Sequence, residues 1–167
     1  MIILFAKTSG AHLNPTVTLA LCLTNNINIK NILPYFTFQL IGALLASWTL
    51  RYLFPLSKQL GGTLPAVNLV STFLLETVMT TILVFLILFC VKINTKHFYT
   101  AILVGVIIFL EAYFGGPLTG ASMNPVRSIG PSLITSHISY LWLYITAPIF
   151  GSLIAIIISK QFILPLK

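Results

Sequence analysis

Two short polar stretches, SGAHLNPTVTLAL and TGASMNPVRSIGP, carry an Asn-Pro pair in front of an apolar run too short to cross a membrane. Proline suits the first position of a helix and bars the residue before it from the helical conformation. We therefore predict that helices begin at Pro15 and Pro125, with Asn14 and Asn124 as their N-caps. These half-helices are expected to cover about 15–24 and 125–135.

The chemistry of these residues depends on how the two half-helices are arranged. If they enter a membrane from opposite faces, their N-termini meet near its midplane, and each end carries roughly half a positive charge. The amides of Asn14 and Asn124 add N–H donors at the same place. Such a site repels a cation and passes a neutral molecule that forms hydrogen bonds. The residues upstream are expected to stay extended and to expose backbone carbonyls along the path, namely Gly10, Ala11, His12, Gly120, Ser122 and Met123.

The composition indicates a membrane protein. Of the 167 residues, 57% are hydrophobic and 7% are charged, which is too little polar surface for a water-soluble protein of this size. The nine basic residues are scattered, so they do not form the patch that a nucleic-acid-binding protein needs. The third of the apolar segments is short and is expected to take its last turn from Gly115 onward. The segments long enough to cross about 30 Å of hydrocarbon are 32–54, 69–91, 98–114 and 140–159.

Small side chains predict where these spans pack closely on a neighbour. In 32–54 they are Gly42, Ala43 and Ala46, and in the last span they are Gly151 and Ala155. Small residues spaced by three or four positions lie on one face of a helix and let two backbones approach each other.

The two Asn-Pro stretches form an inverted repeat. Asn124 follows Asn14 by 110 residues, and the Gly-Ala pair upstream of each asparagine aligns at the same offset. Three spans separate the two stretches, so the second one enters the membrane from the opposite face. We expect an incomplete first repeat at 1–66 and a complete second repeat at 67–167.

The first repeat is shorter than the second at its start. Leu69 precedes Asn124 by 55 residues, whereas Met1 precedes Asn14 by 13. The difference corresponds to about two spans, so we expect an N-terminally truncated arrangement with four full spans, in which residues 1–6 end a helix. Three explanations stay open: the chain is a fragment or a mis-started reading of a longer channel, it is a natural remnant, or another copy supplies the missing wall.

Basic residues predict the orientation of the chain. With alternating spans, six of them fall on one face of the membrane and two on the other. The face with more lysine is expected to be cytoplasmic. The C-terminus is then cytoplasmic, in a plasma membrane or inner membrane. The six residues are Lys7, Lys30, Lys92, Lys96, Lys160 and Lys167, and the two are Arg51 and Lys58.

The sequence resembles the aquaporin family of major intrinsic proteins. The two Asn-Pro-Ala motifs of that family are matched by Asn14-Pro15-Thr16 and Asn124-Pro125-Val126. The likeness continues through QLIGALLAS, LETVMTTILVF, FGGPLTGASMNPVRSIGP and APIFGSLIAI. The resemblance implies an all-α polytopic membrane protein with an aquaporin-like inverted repeat and two re-entrant half-helices. It also implies that the full-length protein is a homotetramer in the lipid bilayer.

The resemblance assigns roles at the constriction. The paired asparagines would be the donors at the centre of the pore, and Arg127 would be the arginine of the outer constriction. Two further constriction positions fall on Ala112 and Ala121, whose small side chains are similar to those of the solute-conducting branches of the family. Ser128 stands where typical glycerol facilitators have Asp, so the resemblance implies water plus small neutral solutes without choosing among them.

Four other residues depart from the pattern or carry charge inside it. By the resemblance, Glu76 braces a re-entrant loop by accepting hydrogen bonds from its backbone, with a proton relay as the alternative. Glu111 is a second candidate for bracing the outer loop. Thr16 and Val126 replace the alanine of the motif and add branched bulk where the half-helices abut, so we expect that contact to relax or the pore centre to change shape.

These observations predict a passive transmembrane channel for water, small neutral solutes or both. The alternative is a non-conducting truncated remnant or fragment of such a channel. Secondary active transport through broken helices is a weaker alternative, because two acids are few for ion coupling. No enzyme activity, cofactor or metal site is expected, since three His, two Cys and two Glu form no convergent cluster.

Overall fold

The structure is a computed structural model that describes residues 1–162. Every regular element within these residues is helical. In chain order the α-helices are α1 (Ile2–Ser9), α2 (Pro15–Leu23), α3 (Ile32–Leu53), α4 (Leu69–Lys92), α5 (His97–Thr119), α6 (Pro125–Thr135) and α7 (Leu141–Phe162), with a 3-10 turn at Ile29–Asn31 before α3. Residues 163–167, which end the predicted second repeat and include Lys167, lie outside the described residues.

The third span continues past residue 114, as expected from the shortness of its apolar segment. Helix α5 continues beyond residue 114 to Thr119, with Pro117 inside its last turn. Gly120 then ends the helix in the left-handed conformation, with φ of 84°, which only glycine adopts without strain. The chain leaves α5 at this point and turns back toward α6.

Helices α3, α4, α5 and α7 are long and apolar enough to cross a membrane. Their outer surfaces are also apolar: Trp48 is 66% exposed, Phe109 64% and Ile157 65%. A water-soluble protein does not leave apolar surface of this extent uncovered, whereas hydrocarbon covers it at no cost. The chain is therefore an integral membrane protein.

The packing of α4 on α7 follows the prediction made from small residues. Gly151 lies directly against the backbone of α4, where an added Cβ would contact the carbonyl oxygen of Thr77. The Thr81 hydroxyl donates to the carbonyl oxygen of Gly151 at 3.1 Å, and Ala155 is fully buried. The close packing predicted for Gly151 and Ala155 is confirmed.

The prediction for α3 was wrong at two of three positions. Gly42 and Ala46 are exposed, and a Cβ added to Gly42 would meet nothing within 4 Å. The close contact instead involves Ala43, whose carbonyl oxygen would lie 2.7 Å from a Cβ on Gly130 of α6. Ser47 lies one turn further on the same face. Neighbouring positions on a helix point about 100° apart. Ala43 and Ser47 face α6, so Gly42 and Ala46, one position earlier, lie on the exposed side of α3.

The two short helices lie between the long ones. Helix α2 packs against α3, α4 and α7, and α6 packs against α3 and α7. Most residues of both short helices are buried, which shields their polar ends from hydrocarbon. This packing determines where the N-termini of α2 and α6 lie.

Candidate functional site

Each half-helix begins at its proline under an asparagine cap. Asn14 is extended, with φ −154° and ψ 125°, and its Oδ1 accepts a hydrogen bond from the backbone N–H of Thr16 at 3.0 Å. Asn124 has nearly the same backbone, with φ −154° and ψ 111°, and its Oδ1 accepts from the N–H of Val126 at 3.2 Å. The helices begin where the Asn-Pro pairs predict.

The two asparagines also join the repeats to each other. Asn14 Nδ2 donates to the carbonyl oxygen of Met123 at 2.8 Å, and Asn124 Nδ2 donates to the carbonyl oxygen of Leu13 at 2.9 Å. Each amide thus caps its own helix with its oxygen and reaches across to the opposite loop with its nitrogen. The N-termini of α2 and α6 consequently meet at one place.

The loops before the caps are not extended, contrary to the expectation from the sequence. Left-handed φ angles occur at Gly10 (68°), Ala11 (48°), Leu13 (52°), Gly120 (84°), Ala121 (43°) and Met123 (53°). The expectation considered only the residue directly before proline, whereas each loop must also reverse direction between two helices. A non-glycine residue costs roughly 1–2 kcal/mol in this conformation, so each loop needs strong hydrogen bonds to keep its shape.

A buried carboxylate supplies these bonds in the second loop. Glu76 on α4 is 0% exposed and accepts three hydrogen bonds. The Thr119 hydroxyl and the N–H of Ser122 donate to its Oε1 at 2.7 and 2.9 Å. The N–H of Met123 donates to Oε2 at 2.8 Å. The carboxylate therefore binds N–H groups in the strained part of the loop, while the Asn14 amide binds the carbonyl oxygen of Met123.

The other acid has no comparable bonds. Glu111 on α5 is 9% exposed, and both of its carboxyl oxygens lack a hydrogen-bond partner among the described residues. The alternative that Glu111 braces the outer loop is therefore wrong. Among residues 1–162, no backbone N–H donates to either oxygen.

The first loop is held by different groups. The ring of His12 stacks on Tyr35 with centroids 4.5 Å apart, and its Nδ1 lies 3.1 Å from the hydroxyl oxygen of Thr18. That hydroxyl donates to the carbonyl oxygen of Asn14 at 3.1 Å and accepts from Gln39 Nε2 at 3.0 Å. An aromatic stack and a shared hydroxyl thus take the place that the carboxylate has in the second loop.

A cavity of about 920 Å³ passes both asparagines. It extends from His97, at the start of α5, to Arg127 on α6. Besides Asn14 and Asn124 it is lined by all the residues predicted for the carbonyl path and the constriction, namely Gly10, Ala11, His12, Gly120, Ser122, Met123, Ala112, Ala121 and Arg127. The remaining predicted site residues, Pro15, Thr16, Pro125, Val126 and Glu76, are not part of its lining.

Arg127 lies at one end of this cavity and is positioned by the loop between α3 and α4. Its guanidinium is exposed and donates to the carbonyl oxygen of Gly61 at 3.1 Å. The neighbouring Ser128 hydroxyl is buried and lies 2.7 Å from the hydroxyl of Thr63 and 2.6 Å from that of Ser122. The loop between α3 and α4 is therefore connected to both the arginine and the re-entrant loop.

Sequence reasoning missed several polar residues that shape the site. Thr18, Gln39, Thr63 and Thr119 all make the bonds described above, and the Tyr144 hydroxyl donates to the carbonyl oxygen of Thr119 at 2.6 Å. The sequence does indicate that such residues form hydrogen bonds, because single hydroxyl and amide groups in apolar sequence need partners when hydrocarbon surrounds the protein. Their partners, however, are far away along the chain.

The role expected of Thr16 was incomplete. Its branched side chain adds bulk to the motif, but the Thr16 hydroxyl also donates to Asn14 Oδ1 at 2.8 Å, and the side chain is 1% exposed. The Ser152 hydroxyl on α7 donates to the carbonyl oxygen of Thr16 at 3.0 Å. Val126, at the equivalent position of the second repeat, has no hydroxyl.

The arrangement defines what the site can do chemically. Two helix N-termini and the Arg127 guanidinium place positive charge along the cavity, while backbone carbonyls and amide N–H groups line it. Within residues 1–162, no group of three His, Cys, Asp or Glu residues could hold a metal ion. The site therefore offers hydrogen bonds to a neutral molecule and a barrier to a cation.

Comparisons with known proteins agree with this geometry. Nodulin-26 from Glycine max is 37% identical over 147 residues, which is 87% of this chain and 54% of that protein. Probable aquaporin NIP7-1 from Arabidopsis thaliana is 34% identical over 89% of this chain and 55% of its own length. The chain thus spans about half the length of the curated relatives it matches.

A solved structure shows the same fold. The X-ray structure of the aquaglyceroporin from Plasmodium falciparum superposes with a TM-score of 0.88 at 28% sequence identity, covering 97% of this chain and 76% of that one. The predicted fold class, an all-α aquaporin-like inverted repeat with two half-helices and four full spans, is confirmed. The sequence model of the family described as Major intrinsic protein matches residues 1–159. The chain therefore belongs to the major intrinsic protein family.

Proposed function

We propose that the chain forms a passive transmembrane channel for water and small neutral solutes. The observation that carries the proposal is the pair of reciprocal bonds from Asn14 Nδ2 to Met123 and from Asn124 Nδ2 to Leu13, located within a cavity of about 920 Å³. These bonds keep two helix N-termini aimed at the path of the permeating molecule.

The proposed path combines donors, acceptors and fixed positive charge. A water molecule or small polar solute exchanges its solvent hydrogen bonds for bonds to loop carbonyls and asparagine N–H groups. The helix ends and Arg127 oppose a cation in the same space. Ala112 and Ala121 contribute only methyl groups to the lining. These small side chains leave more room than larger ones would, which supports passage of solutes larger than water.

The assembly and orientation belong to the same proposal. We infer that the lysine-rich face and the C-terminus are cytoplasmic, because positive residues gather on the cytoplasmic side of membrane proteins. The membrane would be a plasma membrane or inner membrane. The full-length protein would assemble as a homotetramer, as the family resemblance implies.

Osmotic swelling of proteoliposomes tests the conducting function. Vesicles with the wild-type protein are expected to change volume faster than empty vesicles, and Asn124→Asp is expected to abolish the difference. Ala112→Phe places bulk in the cavity and is expected to block it, whereas Ala46→Phe on the exposed face of α3 is the matched control and should leave the rate unchanged. A wild-type rate equal to that of empty vesicles would support a non-conducting remnant instead.

A further inference from the structure

The two asparagine caps differ in one hydrogen bond. Oδ1 of Asn14 accepts from both the N–H and the hydroxyl of Thr16, at 3.0 and 2.8 Å. Oδ1 of Asn124 accepts from the N–H of Val126 at 3.2 Å, and valine has no hydroxyl to add a second bond. The repeat is otherwise matched at this turn, since Thr18 and Ser128 both carry buried hydroxyls.

The difference changes what each amide offers to the cavity. A carbonyl oxygen has two lone pairs, so two donors saturate Asn14 Oδ1 and leave Asn124 Oδ1 with one lone pair free. Asn14 can therefore present only N–H to a molecule in the cavity. The Asn124 oxygen is held by one hydrogen bond fewer, so its amide turns over more easily, and a turned amide directs its oxygen instead of its N–H at the cavity. A free oxygen acceptor is the kind of group that stabilises a cation, including a protonated water.

Thr16 is in a good position to maintain this difference. Its side chain is 1% exposed, so the surrounding packing limits rotation of its hydroxyl away from Asn14, and the bond from Ser152 of α7 to its carbonyl oxygen holds the backbone at this position. Thr16 does not line the cavity and thus acts only through the asparagine.

We propose that Thr16 is a positioning residue for ion exclusion. Its hydroxyl saturates the oxygen of Asn14 and keeps that amide a pure donor, which removes one of the two places where a cation could gain an oxygen ligand at the crossing point of the half-helices. The proposal rests on the channel function proposed above, and it adds a residue that sets selectivity without touching the permeating molecule.

The test compares four variants in proteoliposomes and records two permeabilities for each. Thr16→Val removes the hydroxyl at nearly constant shape, and Thr16→Ser keeps it. Val126→Thr adds a hydroxyl at the equivalent position, and Thr49→Val, on the exposed face of α3, is the control for losing a threonine hydroxyl. Osmotic water permeability is measured by light scattering, and proton leak by an internal pH-sensitive dye under a potassium diffusion potential.

Thr16→Val is expected to raise the ratio of proton leak to water permeability by about fivefold, the effect of losing one typical hydrogen bond on a conformational equilibrium. Thr16→Ser and Thr49→Val should keep the wild-type ratio, and Val126→Thr should lower it. An unchanged ratio in Thr16→Val or in Val126→Thr would overturn the proposal. The Val126→Thr measurement remains decisive if Thr16→Val does not fold.

A spectroscopic measurement separates this proposal from the channel function. NMR of the selectively labelled protein in nanodiscs measures how fast the side-chain amide protons of Asn14 exchange with solvent. This exchange is expected to be faster in Thr16→Val than in Thr16→Ser. Equal exchange would overturn the role of Thr16 even if the protein conducts. Conversely, absence of water permeability in the wild type would overturn the channel function, while the exchange rates would still show whether Thr16 positions the amide.

Discussion

Replacing Glu76 by glutamine is expected to destabilise the second re-entrant loop. The carboxylate accepts from Thr119 and Ser122 on one oxygen and from Met123 on the other. A glutamine amide keeps one oxygen and turns the other into an N–H donor. In either orientation of the amide, at least one backbone N–H of the loop then faces a donor and loses its acceptor.

The magnitude follows from these contacts. A buried donor left without an acceptor costs about 1–3 kcal/mol. The bonds that remain lose the assistance of a full negative charge, which is worth roughly 1 kcal/mol for each bond. We therefore expect Glu76→Gln to lower the free energy of unfolding by about 2–5 kcal/mol, depending on which oxygen the amide nitrogen replaces.

The assay is reversible unfolding in mixed detergent micelles, followed by the loss of helical circular dichroism. Glu111→Gln is the matched control, because Glu111 is also a buried acid of a long helix but its oxygens have no partner among residues 1–162. Removing a buried carboxylate without a partner costs nothing and can stabilise the protein. Equal destabilisation by the two substitutions would refute the bracing role of Glu76.

Three further outcomes are expected. Gly151→Ala should reduce stability by about 1–3 kcal/mol, because its new Cβ would meet the backbone of α4. Gly105→Ala has nothing within 4 Å of its new Cβ and should keep or raise the melting temperature, since alanine favours a helix interior over glycine. Tyr144→Phe removes the donor to Thr119 and should cost about 1–3 kcal/mol in the same unfolding assay. Arg127→Ala should raise the permeability of proteoliposomes to small cations while water still passes, since it removes a fixed positive charge at the end of the cavity.

Each of these expectations has a contrary result. A Gly151→Ala protein as stable as Gly105→Ala would show that α4 and α7 tolerate a wider separation than the structure has. A fully stable Tyr144→Phe would mean that water replaces the lost donor. Cation permeability that stays unchanged in Arg127→Ala would place the whole barrier at the helix N-termini.

The parts of the fold that could be predicted from the sequence depend on local rules. Proline after asparagine sets the start of α2 and α6, since proline restricts the residue before it whatever the rest of the chain does. The long spans are equally local, because hydrocarbon requires about 20 apolar residues in succession. The meeting of the two asparagines could also be predicted, since an inverted repeat brings equivalent segments to the same depth.

The contacts that could not be predicted depend on which side chains and backbone groups the folded chain brings next to each other. The row of α3 that packs on α6 contains Ala43 rather than Gly42, and small residues are present in both rows. Glu76 and Glu111 are both acids within apolar helices, yet only one reaches backbone N–H groups. The hydroxyl of Thr16 was missed for a different reason: its partner is only two residues away, but the bond requires the cap geometry of Asn14.

The reciprocal amide bonds also set an order of events during synthesis. The side chain of Asn14 donates to Met123, which the ribosome adds 109 residues later. At typical elongation rates this interval lasts roughly 5–20 s. During that time the first loop can already bind Tyr35 and Gln39, but the Asn14 amide lacks its native acceptor. The crossing point of the two half-helices is therefore completed only after α3, α4 and α5 have been synthesised.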